Sequence, residues 1–179
     1  MRHLLPRPVS MLVVLVAVLV QVSIVQRVEL LHASPDLVVL VVVSVSLLGG
    51  SVAGAWYGFI AGVAIALFAA LPLGPHAMVA TVIGYSCGRW GEVLITDEHP
   101  VPPLLAAVAA TLAMQIGRPV IEFLINPAVT TTRGVWGEAV VVCAINAVFA
   151  VPVYALVRRI VRGMGVSERS LDVGSVREA

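Results

Sequence analysis

Four polar side chains that could form a binding pocket lie within predicted apolar helices. Gln115, Arg118 and Glu122 follow one another at spacings of three and four residues, which places them on one helical face. Asn146 lies near the centre of a later apolar run. Ionisable groups are costly inside a membrane segment, and they usually face the protein interior or water. These side chains therefore predict a polar pocket near the outer end of a helix bundle.

The same residues also have purely structural interpretations, which the sequence leaves open. Arg118 and Glu122 could form an ion pair at the membrane interface, with the arginine extended toward water. Asn146 could hydrogen-bond a neighbouring helix instead of a ligand. Pro119 predicts a kink beside Arg118, and such a kink could open a cavity there.

The chain carries none of the common sequence signatures of enzymes. It has no P-loop, no HExxH motif, no GxSxG motif and no pair of carboxylates at catalytic spacing. Cys87 and Cys143 lie in predicted helices, outside any CxxC motif or metal-ligand spacing. We therefore expect no enzyme activity, no metal, no cofactor and no nucleic-acid partner.

The composition is typical of an integral membrane protein. Apolar residues make up 60% of the 179 residues and charged residues only 12%, whereas about a quarter of a soluble domain is charged. Residues 37–75 contain no charged side chain. This run is much longer than the roughly 20 residues that one membrane-spanning helix needs. It therefore predicts two helices joined by a tight hairpin near Gly49 and Gly50.

The apolar runs and the breaks between them predict an all-α fold with six membrane-spanning helices. The predicted spans are residues 9–25, 37–48, 52–71, 76–90, 103–125 and 135–157. The second span is too short to cross a bilayer unless its ends are buried in protein. Ser34 is its predicted N-cap, and Asp36 lies at the positive end of its dipole. Residues 1–162 thus form the membrane domain, and the polar tail 163–179 is expected to be disordered.

Glycines recur at every fourth position in two consecutive predicted helices. The residues are Gly50, just before the third span, Gly54, Gly58 and Gly62 within it, and Gly84 and Gly88 in the fourth span. Four-residue spacing aligns them along one face of each helix. In lipid, helices associate by close packing, and rows of small residues let two backbones approach. These glycines predict either packing between the two helices or the docking of a partner helix.

The distribution of arginine residues predicts that both termini lie in the cytoplasm. Short loops on the cytoplasmic side of a membrane carry an excess of basic residues. With six spans and a cytoplasmic N-terminus, the inner side holds Arg2, Arg7, Arg89, Arg158, Arg159 and Arg162. The outer side then holds only Arg27 and Arg133, with Arg118 near its edge.

Residues 34–90 contain a series of short motifs in a distinctive order. The motifs are Pro35-Asp36-Leu37, Gly58-Phe59 within the glycine row, Pro72-Leu73-Gly74, His76-Ala77, and Gly84-Tyr85 followed by Gly88. In this order they resemble the MreD family of rod shape-determining proteins. The family's third span usually carries an acidic residue four positions after the glycine that matches Gly62, where this chain has Ala66.

The resemblance implies a non-enzymatic membrane scaffold of the bacterial cell-elongation complex. MreD-like proteins lie in the inner membrane beside a single-span MreC-like protein, with an MreB-like filament inside and peptidoglycan synthases alongside. They support lateral wall growth and rod shape. The family fold is similar to that of the substrate-binding S-components of energy-coupling-factor vitamin transporters. We expect the rows of small residues to bind the MreC-like partner.

Two other functions are compatible with the helix count. A small-molecule-binding subunit of the S-component type would use the face that carries Gln115, Arg118 and Glu122, and it would need an ATPase partner for transport. A secondary transporter would instead require repeated halves with helix breaks at matched positions. The proline-rich break at residues 72–75 has no such counterpart in the second half of the chain.

Overall fold

The computed structural model describes residues 8–23, 35–69, 73–94, 101–125 and 135–176, and every regular element in these ranges is an α-helix. The helices are α1 (Pro8–Ser23), α2 (Leu37–Gly49), α3 (Ser51–Phe68), α4 (Leu73–Leu94), α5 (Val101–Ile125) and α6 (Val135–Val176). The predicted all-α fold is therefore confirmed. Three segments within them, Ser51–Phe68, Pro103–Ile125 and Val140–Val161, are long and apolar enough to span a membrane, whereas α1 and α2 are apolar but shorter.

The short helix α2 forms the centre of the bundle and contacts each of the other five helices. Ten of its 13 residues are buried. Its sequence fits this position, because Val and Leu occupy all of its faces and 13 residues are too few to cross a bilayer alone. The two serines within it are buried as well, and Ser44 donates its hydroxyl hydrogen to the carbonyl of Leu40, at 2.7 Å.

The predicted hairpin between the second and third helices is confirmed at Gly50. This residue separates α2 from α3, and its φ of 89° lies in the region that only glycine adopts without strain. Its N–H donates to the carbonyl of Ser46 at 2.9 Å, which closes the last turn of α2. The chain therefore reverses direction with a single residue between the two helices.

Helices α3 and α4 pack more extensively against each other than any other described pair, and their glycines lie at the contact. A Cβ atom added at Gly54 would overlap the carbonyl oxygen of Gly84, and the reverse substitution would overlap that of Gly54. A Cβ atom at Gly58 would overlap the carbonyl of Ala80. One at Gly62 would lie 2.7 Å from the Cα atom of Ala77. The two backbones therefore touch along the whole contact.

The remaining two glycines of the predicted rows, Gly50 and Gly88, lie at the end of this contact. A Cβ atom at Gly88 would overlap the carbonyl of Gly50, across the hairpin that joins α2 to α3. All six glycines thus serve packing within the chain, and a partner helix cannot reach them while α3 and α4 stay together. Ala66, four residues after Gly62, is also buried, at 1% exposure.

Several predicted boundaries differ from the observed ones. Helix α4 begins at Leu73 rather than at residue 76, because a proline such as Pro75 fits the first turn of a helix. The N-cap of α2 is Asp36, and the predicted cap Ser34 lies outside the described residues. Helix α6 continues to Val176, so residues 163–176 are helical where their polar composition predicts disorder. Extending an existing helix needs no new nucleus, which favours this continuation.

Candidate functional site

A cavity of about 180 Å³ lies in the interior of the bundle, and all six helices or their caps contribute to its wall. Its polar lining residues are Gln21, Asp36, His76, Gln115 and Arg118. The rest of the wall is apolar or glycine and consists of Val38, Val39, Val42, Gly62, Ile65, Ala80, Ile83, Met114 and Val142. An apolar wall with a few converging polar groups is typical of small-molecule sites, although this cavity is smaller than most of them.

The structure brings two of the four predicted pocket residues to this cavity. Gln115 and Arg118 line it, whereas Glu122 and Asn146 do not. Among the described residues no ion pair joins Arg118 to Glu122. Arg118 instead lies within electrostatic range of Asp36, and both residues line the cavity. Arg118 therefore contributes to the cavity rather than to an ion pair along α5.

The guanidinium of Arg118 has unused hydrogen-bonding capacity. Its Nε atom is buried and has no hydrogen-bond partner. An arginine side chain carries five N–H donors and no acceptor. A buried donor without an acceptor is unfavourable by about 1–3 kcal/mol. The cavity therefore contains a cationic donor group that an acceptor within it would stabilise.

Gln21 and Asn146 hold the start of α2 from two sides. The side-chain amide of Gln21 donates from Nε2 to the carbonyl of Pro35 at 3.0 Å, and its Oε1 accepts from the N–H of Leu37 at 2.9 Å. The Oδ1 atom of Asn146 accepts from the N–H of Asp36 at 3.0 Å. The Oδ1 atom of Asp36 accepts from the N–H of Val39 at 3.1 Å, as expected of an N-cap. These bonds satisfy N–H groups at the helix start that would otherwise lack partners.

The amide of Asn146 also links α6 to α5. Its Nδ2 atom donates to the hydroxyl oxygen of Thr111 at 3.0 Å, and that hydroxyl donates to the carbonyl of Ala107 at 2.8 Å. Asn146 and Thr111 are buried, at 0% and 1% exposure. Asn146 thus bonds to α5 and to the start of α2, which matches its structural interpretation as a contact between helices.

Three residues of this region, Gln21, Asp36 and Thr111, were not predicted as part of the site. Gln21 could have been predicted from the sequence. An amide inside an apolar span needs a hydrogen-bond partner, for the same reason that Asn146 does. No sequence signal marked Thr111. Threonine in a membrane helix commonly bonds the carbonyl four residues earlier, and this one does so as well.

At the other end of the bundle, Glu92 of α4 caps the start of α3. Its Oε1 atom accepts from the N–H of Ser51 at 2.7 Å and from the hydroxyl of Ser51 at 2.8 Å. Its Oε2 atom pairs with Arg89 at 3.2 Å, an exposed contact that adds little stability. Hydrogen bonds from Ser51 lower the pKa of Glu92 below its ordinary value of 4.5. The carboxylate form therefore makes these contacts at neutral pH.

We expect the stabilising effect of Glu92 to disappear in acid. Because its pKa is lower in the folded chain than in the unfolded one, its contribution is complete above pH 4.5 and shrinks as the pH falls below that value. The Glu92→Gln variant should thus melt at a lower temperature than the unaltered chain at pH 7, and the gap should narrow toward pH 4. Thermal unfolding in detergent measures this, and Arg89→Gln is the control. A gap that is constant with pH would contradict the capping role of the carboxylate.

One comparison with known proteins gives a match. The model of a family described as rod shape-determining protein MreD matches residues 1–162 of the chain. This region includes α1 to α5 and α6 as far as residue 162, and with them the whole cavity. Neither the curated proteins nor the solved structures compared with the chain include a match.

Proposed function

The chain belongs to the rod shape-determining protein MreD family, and we propose that it is a non-enzymatic membrane scaffold of the cell-elongation complex. Its proposed direct partner is a single-span MreC-like protein, with an MreB-like filament and peptidoglycan synthases as indirect partners. In this role it supports lateral peptidoglycan synthesis and the maintenance of cell shape. The family match over residues 1–162 is the observation that carries the proposal.

We propose that all six helices cross the bacterial inner membrane and that both termini are cytoplasmic. Arg89 lies near the end of α4, and Arg158 and Arg159 lie in the second half of α6, the ends that six alternating spans would put on the same side. Arg2, Arg7, Arg27 and Arg133, on which the orientation also depends, lie outside the described residues. The excess of arginine on the α4 and α6 side supports a cytoplasmic position for that side.

The proposed partner surface differs from the one that the glycine rows predicted, because those glycines are covered by α3 and α4 themselves. A small-residue pair on α5 remains uncovered. Ala109 and Ala113 are four residues apart, and both are exposed. Within Pro103–Ile125, only 28% of its 18-residue apolar window is buried inside the chain. Small residues at this spacing allow a second helix to approach closely in lipid.

Co-purification tests this surface. Substituting leucine at both Ala109 and Ala113 is expected to lower recovery of the MreC-like protein roughly tenfold, which corresponds to about 1.4 kcal/mol of binding free energy. The matched control places leucine at Ala144 and Ala155, two exposed alanines of α6. Undiminished recovery with the α5 variant at normal membrane levels would exclude this surface. If no MreC-like protein is recovered with the unaltered chain, the scaffold proposal itself fails.

A small-molecule-binding subunit of the S-component type is the second candidate function. The internal cavity with Gln115 and Arg118 in its wall favours it. Transport would need an external energy source, so an ATPase should co-purify with the chain from native membranes. Recovery of cell-elongation proteins without an ATPase favours the scaffold, and the reverse result favours the transporter subunit.

A further inference from the structure

The polar groups in the cavity wall differ in how much of their bonding capacity is already used. Both polar atoms of the Gln21 amide bond to the backbone at the start of α2. Asp36 caps the same helix, because its Oδ1 atom accepts from the N–H of Val39. Gln115 makes no hydrogen bond within the described residues, and the Nε atom of Arg118 has no partner. The unused capacity is therefore concentrated on α5.

The unused N–H groups of Arg118 require a hydrogen-bond acceptor. A guanidinium can only donate, and it binds carboxylate and phosphate oxygens with particular strength because two parallel N–H···O bonds form at once. Gln115 lies three residues before Arg118, so both project toward the same side of α5. We infer that this cavity binds a small oxyanion, a phosphate or carboxylate group, held by the guanidinium of Arg118 and the amide of Gln115. The inference does not depend on whether the chain is a scaffold or a transporter subunit.

The size of the cavity limits what can enter. A volume of about 180 Å³ is smaller than the roughly 300–1,000 Å³ of a typical small-molecule pocket, so one compact polar group fits and a long chain does not. The oxyanion can therefore be a free anion or the headgroup of an anionic lipid whose acyl chains stay outside. Both sources offer the same oxygens to Arg118, and they differ only in the route of entry.

Thermal unfolding of the full chain in a maltoside detergent tests the inference. The two probes are inorganic phosphate, added at constant ionic strength, and phosphatidylglycerol, added to the micelles. At about five times its dissociation constant, a bound probe should raise the midpoint of unfolding by roughly 2–4 °C. A shift with inorganic phosphate identifies a free anion as sufficient, and a shift with phosphatidylglycerol alone identifies a lipid headgroup.

The variants separate this cavity from other basic sites. Arg118→Met should abolish the shift in the unfolding midpoint. Arg118→Lys should reduce it, because a lysine lacks the paired donors. Arg159→Met is the control, because Arg159 is exposed on α6 outside the cavity. If Arg118→Met does not fold, Gln115→Met and Arg118→Lys still give the comparison. No shift with either probe, or an equal shift in Arg118→Met and the unaltered chain, would overturn the inference and leave water as the occupant.

Discussion

Cells that express the Gly58→Leu variant are expected to contain almost no folded chain. The Cα atom of Gly58 lies against the backbone of α4, and even a Cβ atom would overlap the carbonyl of Ala80. Because the obstructing atoms belong to the backbone, relief requires α3 and α4 to separate along their shared surface. We expect Gly58→Ala already to lower the free energy of unfolding by more than about 3 kcal/mol, at the upper end for overpacking, and leucine to lower it further.

The control for this prediction is a glycine with free space around it. Gly74 lies in the first turn of α4, and nothing comes within 4 Å of a Cβ atom placed there. Alanine favours a helix over glycine, so Gly74→Ala should raise stability by about 0.5–1 kcal/mol. Gel filtration and thermal unfolding in detergent measure both variants. A Gly58→Ala variant that is as stable as the unaltered chain would show that α3 and α4 do not approach this closely.

Replacing Asn146 with leucine is the second change with a large expected effect. It removes the acceptor for the N–H of Asp36, a part-buried bond, and the donor to the hydroxyl of Thr111, a buried one. Because an N–H left without a partner costs about 1–3 kcal/mol and a lost hydrogen bond about 0.5–1.5 kcal/mol, we expect a loss of about 2–4 kcal/mol. Thermal unfolding in detergent measures this loss.

A double-mutant cycle separates this network from general disruption of packing. Thr111→Val should cost about 1 kcal/mol in the unaltered chain and clearly less in the Asn146→Leu background, because the bond between them is then already lost. Gln21 contacts α2 through Pro35 and Leu37 but not through Asn146, so Gln21→Leu should be more nearly additive with Thr111→Val. Full additivity of Asn146→Leu with Thr111→Val would contradict the proposed network.

The helices and the packing of α3 on α4 could be predicted from the sequence because both depend on local periodicity. The spacing of Gly54, Gly58 and Gly62 aligns them on one face whatever surrounds the helix. What the spacing does not specify is the chain that covers this face. The matching row on α4 was visible, yet the choice between α4 and a partner helix depends on how the hairpin at Gly50 brings α3 alongside α4.

The cavity could be predicted only in part, because its wall comes from residues far apart in the sequence. Arg118 and Glu122 share one helical face by spacing, but that face is broad, and packing decides which of them points inward. Asp36 and Gln21 line the same cavity as Arg118 only because α2 is central, and no local sequence pattern indicates that arrangement. Asn146 was correctly expected to need a partner, although its partners on α2 and α5 could not be named.

The short length of α2 has a consequence for how the size of the cavity could be changed. At 13 residues α2 measures about 20 Å, some 10 Å less than the hydrocarbon thickness of a bilayer. Asp36, Val38 and Val39, at the capped end of α2, form part of the wall of the cavity, and the other five helices supply the rest. Adding or removing a turn at this end of α2 would change the size of the cavity, whereas the five helices around α2 would stay the same. The cavity and the outer surface of the bundle can therefore vary independently.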